Sequence, residues 1–319
     1  MKFFYQCLVL LIAISLLSAC GKEEKRQDIK GRIGMTCMDL TNPFFKLIAN
    51  VMEEEAAKHG YELTALNGAQ DPAKQNSQLS DFAAQGYDAI FLNPVDSKSA
   101  GQGVKTAHQA GIPVFTFDVQ VDASGAEEMI VSHIGSDNYQ GGILAGESMI
   151  EVLGNKGKVA ILSLPEVTSC ILRVDGFKEA LVKAGSPIEI VTELSGKGSR
   201  DAGYSVATDI LQAHPDISGI FAINDPSALG AHSAVVKAGK IDQISIVAFD
   251  ASPAGKQAVF EKKIHDTPQQ FPRKMAVGTV QAFVDYLSGR EVKKKTLIPC
   301  THYLYDDSVK DESRIKDQW

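Results

Sequence analysis

The chain has 319 residues, about twice a common domain length, so two domains are expected. Hydrophobic residues at 44% and charged residues at 22% describe an ordinary α/β composition with apolar material for two cores. Asp plus Glu outnumber Lys plus Arg by 39 to 32, and the longest basic run is Lys293–Lys295, so charge argues against nucleic acid as a partner.

At the N-terminus, Lys2 precedes the apolar run LVLLIAISLL at 8–17, which is too short for an ordinary membrane span and suits a secretory signal peptide. Leu17-Ser18-Ala19-Cys20 resembles the bacterial lipobox, in which cleavage precedes the cysteine and its sulfur receives a diacylglycerol. Residues 1–19 are therefore expected to be a lipoprotein signal peptide, with Cys20 as the lipid-attachment site. Residues 20–30, polar and highly charged, are expected to form a flexible linker. Removing the leader removes Lys2 and leaves a mature charge of 31 − 39 = −8. Acyl chains on Cys20 would hold the protein at a membrane surface without spanning it, in the periplasm or at the cell surface.

Ile33–Met38 reads as the first strand, followed by a helix from Thr41-Asn42-Pro43 to about His59, with Gly60 as its stop. Phe44 and Phe45 are adjacent in its first turn, and two neighbouring aromatics are not expected to point into one helix–sheet core. At least one should face the end of the strand, where a ring can cover an apolar ligand face. Tyr61–Leu66 is a second strand, and Asp71-Pro72 opens a helix ending before Gly86.

Residues 89–118 and 219–250 then repeat one pattern. Each starts with an apolar run ending in Asn (Asn93, Asn224), continues through a helix-length segment and a glycine, and closes with an apolar run ending in Asp (Asp118, Asp250). Short apolar runs alternating with helices describe βαβ units with parallel strands buried on both faces. In open sheets of this kind ligands bind beyond the carboxyl ends of the strands, where all four polar residues fall. A strand-end Asn or Asp can equally well cap the next helix, but recurrence in two matching blocks favours a cleft between two similar lobes.

Between the repeats, Met129–Ile134 is a strand. Asp137-Asn138 begins a helix carrying Gly141, Gly142 and Gly146, a GGxxxG cluster suited to close helix packing and without the spacing of a phosphate loop. Lys158–Leu164 opens a second βα series, with Arg173 early in a helix ending near Gly185. Ile188–Leu194, Asp201–His214 and the second repeat follow. Phe260–Pro272 reads as an unusually polar strand, Arg273–Leu287 as a helix, and the segment from Thr296 onward as short β-prone runs. Of five cysteines, Cys37, Cys170 and Cys300 lie in the body. Three cannot all pair with one another, none has metal-ligand spacing, and buried small hydrophobes are their expected role.

From about Lys30 onward the chain resembles the periplasmic sugar-binding proteins of ABC importers, ribose-binding proteins in particular. The resemblance rests on TNPFF at 41–45, SHIGSDN at 132–138, AHPDISGIFAINDPSALGA at 213–231 and VAFDASPAG at 247–255. It implies an α/β fold of two Rossmann-like lobes with parallel sheets, closing over a ligand about a hinge of three crossovers near residues 136, 270 and 299. The N-terminal lobe would be 31–136 plus 271–299, and the C-terminal lobe 137–270 plus 300–319. The ligand-binding positions it implies are Asn42, Phe44, Phe45, Asp118, Arg173, Asn224, Asp250 and Gln270. These types suit a neutral polyhydroxylated ligand: carboxylates and amides take several hydroxyls, Arg donates in a fixed fork, and aromatic rings cover C–H faces.

Three positions depart from the ribose pattern. Val119 stands where an Arg usually follows the first strand-end Asp, Met38 where the first strand carries a pocket Ser, and Gly198 where the second lobe supplies an aromatic. Sugar class is implied while ribose itself is not; another monosaccharide or a sugar alcohol fits as well. The expected protein is a monomer without cofactor or metal, delivering its ligand to a membrane permease. A receptor feeding a sensor or chemotaxis protein is the alternative. No helix-turn-helix segment precedes the first lobe, which argues against a transcription regulator. Asp118 and Asp250 could be imagined as a glycosidase pair, but no Ser/His/Asp or Cys/His constellation supports an enzyme.

Overall fold

The computed structural model describes residues 29–312 and 319. The expected signal peptide, Cys20 and all of the expected linker except its last two residues lie outside the described residues, as do 313–318. No helix among the described residues is long and apolar enough to cross a membrane.

The first lobe runs β1 (Gly31–Cys37), α1 (Pro43–Lys58), β2 (Tyr61–Asn67), α2 (Pro72–Ala84), β3 (Ala89–Leu92), α3 (Gly101–Gln109), β4 (Val114–Phe117) and β5 (Ile130–Ser136). The second runs α4 (Asn138–Val152), β6 (Lys158–Ser163), α5 (Thr168–Lys183), β7 (Glu189–Ser195), α6 (Arg200–Ala213), β8 (Gly219–Ala222), α7 (Asp225–Lys237), β9 (Ser245–Val247) and α8 (Pro253–Phe260). The chain then returns to the first lobe for α9 (Pro272–Leu287) and β10 (Lys295–Ile298), and ends among the described residues with α10 (Tyr305–Lys310).

All strands pair in parallel, in a six-stranded sheet ordered β10-β5-β4-β3-β1-β2 and a four-stranded sheet ordered β7-β6-β8-β9. The order β2-β1-β3-β4 in one lobe is the order β7-β6-β8-β9 in the other, so the two sequence repeats are β3-α3-β4 and β8-α7-β9. In each sheet the winding reverses beside β1 or β6, which opens a crevice at the carboxyl edge. Both faces of the first sheet are covered. Ile33, Met35 and Cys37 of β1 pack against Phe45, Ile48 and Met52 of α1 and Met275 and Phe283 of α9. Ile90, Leu92 and Val114 pack on the other side against Leu79, Phe82 and Val104. The second sheet is enclosed in the same way by two apolar clusters. Strands buried on both faces explain the fully apolar β3 (AIFL).

The glycines of α4 do what their spacing predicts. A Cβ on Gly142 would lie 2.2 Å from the Arg173 carbonyl oxygen, and one on Gly176 of α5 would lie 2.1 Å from the Tyr139 carbonyl oxygen. Only glycine at both positions lets α4 and α5 touch backbone to backbone, and this contact fixes the helix that carries Arg173.

Two readings of the sequence need correction. Phe260–Pro272 is not a regular strand: α8 occupies Pro253–Phe260, Lys262 turns back at a φ of 58°, and only isolated bridges follow, Val247 with Asp266, Asp250 with Gln269, and Gln269 with Thr301. Its polar residues are there for side-chain bonds rather than for a ladder, with Asp266, Thr267 and Gln270 all buried. The expectation that Phe44 and Phe45 could not share one core also fails, although both do reach the strand-end edge, as expected of at least one. Both rings are buried in one cluster, meeting edge to face at 5.2 Å between centroids. They can do so because the first turn of α1 sits at the sheet edge, where the core and the interlobe cavity share a wall. The segment after Thr296 contains one strand, β10, and a short helix, α10, that β-propensity did not indicate.

Candidate ligand-binding site

A cavity of about 660 Å³ lies between the carboxyl edges of the two sheets. Asn42, Phe44, Phe45 and Asp118 line it from the first lobe, Arg173, Asn224 and Asp250 from the second, and Gln270 from the segment that returns between them. All eight positions singled out in the sequence therefore meet in one space. Its size is in the range of pockets for small molecules, about 300–1,000 Å³.

Each polar group is held by a local device. Asn42 is the N-cap of α1, its side chain accepting from the Phe44 amide at 3.0 Å. Asn224 is the N-cap of α7, accepting from the Ser227 amide at 3.0 Å, while its Nδ2 donates to the Gly198 carbonyl at 2.9 Å. Its capping role and its place on the cavity wall coexist. Asp118 follows β4 at a φ of 60°, a left-handed conformation that Asp tolerates better than most residues. Asn93, expected beside it at the strand ends, does not line the cavity. It is buried, takes the Met38 amide on its Oδ1 at 3.1 Å and donates to Asp118 Oδ2 at 3.0 Å, so it positions the carboxylate from behind.

Asp250 is more strained, with φ of 113° followed by Ala251 at 51°. Asp225, which sequence reasoning missed, restrains this turn. Its Oδ2 accepts from the Ser252 amide (2.7 Å) and hydroxyl (2.6 Å), and its Oδ1 accepts from Thr267 Oγ1 at 2.7 Å, which in turn accepts from the Ala251 amide at 3.0 Å. The one available signal was its place directly after Asn224, where it reads as an ordinary first-turn helix residue. Backbone strain of this kind persists only where surrounding contacts over-determine it, and it clusters at functional sites.

Arg173 Nη1 donates to the Ile223 carbonyl at 2.7 Å and lies 3.3 Å from Asp250 Oδ1, its Nε donates to Asn138 Oδ1 at 2.8 Å, and its guanidinium stacks over Phe249 at 4.0 Å. Gln270 Nε2 donates to the same Asp250 oxygen at 2.7 Å. Two buried acceptors in this group have no partner within the protein: Asp118 Oδ1 and Gln270 Oε1. Burial pushes the Asp118 carboxyl up to about 7, reinforced by Asp250 and opposed by Arg173 and by the Asn93 hydrogen bond. Burial likewise raises Asp225 and Asp250. Burial alone would pull Arg173 down, and the surrounding acidic groups raise it instead.

Of the three departures from the ribose pattern, Met38 and Gly198 face the cavity. Val119 is buried behind it, in a cluster with Val167 and Cys170 of the second lobe. Cys37, Cys170 and Cys300 are all buried free thiols. Cys170 also lines the cavity, and burial raises its pKa to about 11, so it is protonated at neutral pH.

The sequence model of the periplasmic binding protein domain matches residues 33–291. The chain belongs to the periplasmic binding protein family. This periplasmic binding protein is 35% identical over 267 residues to the ribose import binding protein RbsB of Salmonella typhimurium, covering 83% of this chain and 88% of that one. It is 31% identical over 300 residues to RbsB of Bacillus subtilis, covering 91% and 95%. Among solved structures it resembles an ABC transporter solute-binding protein of Actinobacillus succinogenes with bound D-allose, with a TM-score of 0.81, 28% identity, and 88% and 100% of the two chains covered. It also resembles one of Bacillus halodurans with bound myo-inositol, with a TM-score of 0.81, 27% identity, and 91% and 99% covered. The type I, ribose-binding-like architecture of two parallel α/β lobes follows from these likenesses and from the strand orders above.

In this periplasmic binding protein a Ser, a His and an Asp do converge, far apart in sequence, at the connection between lobes. Asp266 Oδ2 accepts from Ser148 Oγ (2.5 Å) and faces His302 Nδ1 (2.7 Å), while Ser148 Oγ also lies 3.3 Å from that Nδ1. Hydroxyl and carboxylate thus share one ring nitrogen, and Nε2 faces Glu147 at 4.0 Å. Among the described residues no hydroxyl bonds Nε2, the nitrogen that takes the nucleophile's proton in a hydrolytic triad. The trio braces the connection instead, since Asp266 Oδ1 also accepts from the Tyr303 amide at 3.0 Å.

Proposed function

We propose that this protein captures a monosaccharide or related polyol between its lobes by hinge closure and delivers it to the permease of an ABC importer. It works outside the cytoplasm as a monomer, anchored through a lipid on Cys20. Asn42, Phe44, Phe45, Asp118, Arg173, Asn224, Asp250 and Gln270 form the binding site.

The observation that carries this reading is the meeting of all eight residues, carboxylates, amides, a guanidinium and two aromatic rings, on one interlobe cavity. Polar groups on a cavity wall need hydrogen-bond partners once water is excluded, and the hydroxyls of a neutral polyol both donate and accept. An anionic ligand would meet five acidic residues (Asp39, Asp96, Asp118, Glu166, Asp250) against three basic ones (Arg173, Lys197, Arg200) on the cavity wall. The ribose import proteins and the sugar- and inositol-bound solute-binding proteins it resembles support the same ligand class.

Closure has its own support in Ser97. This first-lobe residue donates its amide to the Glu166 carbonyl at 3.1 Å and accepts the Thr168 amide on its Oγ at 3.0 Å. Thr168 begins α5, whose own N-cap residue, Val167, has no side-chain acceptor. A serine of one lobe therefore caps a helix of the other, a contact available only when the lobes are together.

A thermal-shift screen of pentoses, hexoses, deoxy sugars, polyols, amino acids and short peptides tests the proposal. A ligand at 100 times its dissociation constant adds about 2.7 kcal/mol of stability. Shifts confined to sugars and polyols are expected; shifts by amino acids or peptides alone would overturn the carbohydrate reading.

A further inference from the structure

The cavity wall contains an apolar patch beside its polar groups, and the patch narrows the ligand. Asp118, Arg173, Asp250 and Gln270 are among the polar lining residues. Met38, Leu164, Val167 and Cys170 line the same cavity. These four belong to one continuous apolar cluster, closed from behind by Val119, and it is built from both lobes. Met38 follows β1 and Val119 follows β4 in the first lobe, whereas Leu164 follows β6 and the other two start α5. The patch and the polar groups abut: Asp118 adjoins Val119 in sequence, and Cys170 is one helical turn before Arg173. The Cys170 thiol of the patch is protonated at neutral pH and 4.0 Å from Ser169 Oγ.

We propose, resting on the carbohydrate reading, that the ligand is a sugar with a deoxygenated edge: a deoxy sugar or one bearing a methyl group, with its remaining hydroxyls on the carboxylate side. A hydroxyl turned toward the side chains of Met38, Leu164, Val167 and Cys170 loses its water and gains at best the weak partner that the Cys170 thiol offers. A methyl or methylene at the same place buries apolar surface against apolar surface. Because the wall is shared by both lobes, that contact forms fully only on closure, so the apolar edge favours the closed state directly. A hydrophobic pocket discriminates a single methyl or hydroxyl by about 10- to 100-fold.

The test is calorimetric titration of the full mature chain with sugar pairs differing by one oxygen: D-galactose and D-fucose, L-mannose and L-rhamnose, D-ribose and its 2-deoxy and 5-deoxy forms. The expected result is at least one pair in which the deoxy member binds tenfold or more tightly. Met38→Ser, which adds a hydroxyl partner at the wall, should shrink that ratio several-fold, and Cys170→Ser should move it the same way. Binding by sugars with the hydroxylated member equal or better in every pair overturns this inference and leaves the carbohydrate reading intact. No binding by any sugar overturns both.

Discussion

Replacing Asp118 by Asn separates binding chemistry from folding, because the two respond to pH in opposite directions. Asp118 Oδ1 is buried without a partner and the carboxyl is pushed up to about 7, mainly by burial. A ligand hydroxyl donating to the Asp118 carboxylate favours the ionised form, so binding below pH 7 must first expel a proton. One-proton linkage then weakens apparent affinity by about tenfold between pH 8 and pH 6. A hydrogen bond to a charged acceptor contributes about 1.5–3 kcal/mol against about 1 for a neutral one, so Asp118→Asn should bind about tenfold more weakly at pH 8. At pH 6 the two proteins should converge, since the wild-type carboxyl is then largely protonated. Asp250, also raised by burial, titrates in both proteins, so the ratio of their affinities reports Asp118 together with its coupling to Asp250. Stability has the other sign. A carboxyl with a raised folded pKa contributes stability that is full below its unfolded value of 3.8 and is lost as pH rises through about 7. The ligand-free Asn variant should therefore gain in melting temperature relative to wild type between pH 6 and pH 8. Calorimetric titrations and melting curves at both pH values supply all four numbers. An affinity ratio that does not change between pH 6 and pH 8 would refute the reasoning.

Three other outcomes are expected. Ser97→Ala removes the cross-lobe cap of α5; caps contribute about 0.5–2 kcal/mol, so affinity should fall by about 2- to 30-fold. Small-angle scattering of that variant should need more ligand to reach the compact form, and titrations that match wild type would contradict the latch. Gly176→Ala places a Cβ on the Tyr139 carbonyl and should cost about 1–3 kcal/mol, read as a lower melting temperature. Cys20→Ser should abolish labelling by a radioactive fatty acid, and a variant that still takes up label would remove Cys20 as the anchor.

Much of the fold was legible because parallel sheets write themselves as short apolar runs. The repeat at 89–118 and 219–250 maps onto β3-α3-β4 and β8-α7-β9, and the Asn and Asp closing each run fall on the predicted edge. Asn42, Asp71 and Asn224 were readable as helix starts because a capping side chain acts within its own turn. What stayed hidden depends on contacts between residues distant in sequence. Asp225 looks like a first-turn residue until Ser252 and Thr267 are brought to it. Ser97 looks like a loop serine until α5 arrives from the other lobe. The segment 260–272 misled because its apolar and Pro-flanked ends resemble a strand, whereas its polar residues serve buried side-chain bonds.

Calorimetric titration of Asp250→Asn with the tightest ligand from the screen, beside its melting curve, tests the central claim most directly. Asn tolerates positive φ and keeps an acceptor for Gln270, so the variant should fold. Exchanging charge-assisted bonds to ligand hydroxyls for neutral ones predicts binding weaker by about 2- to 30-fold, with cooperative melting retained. Wild-type affinity in that folded variant would contradict a binding site built on Asp250.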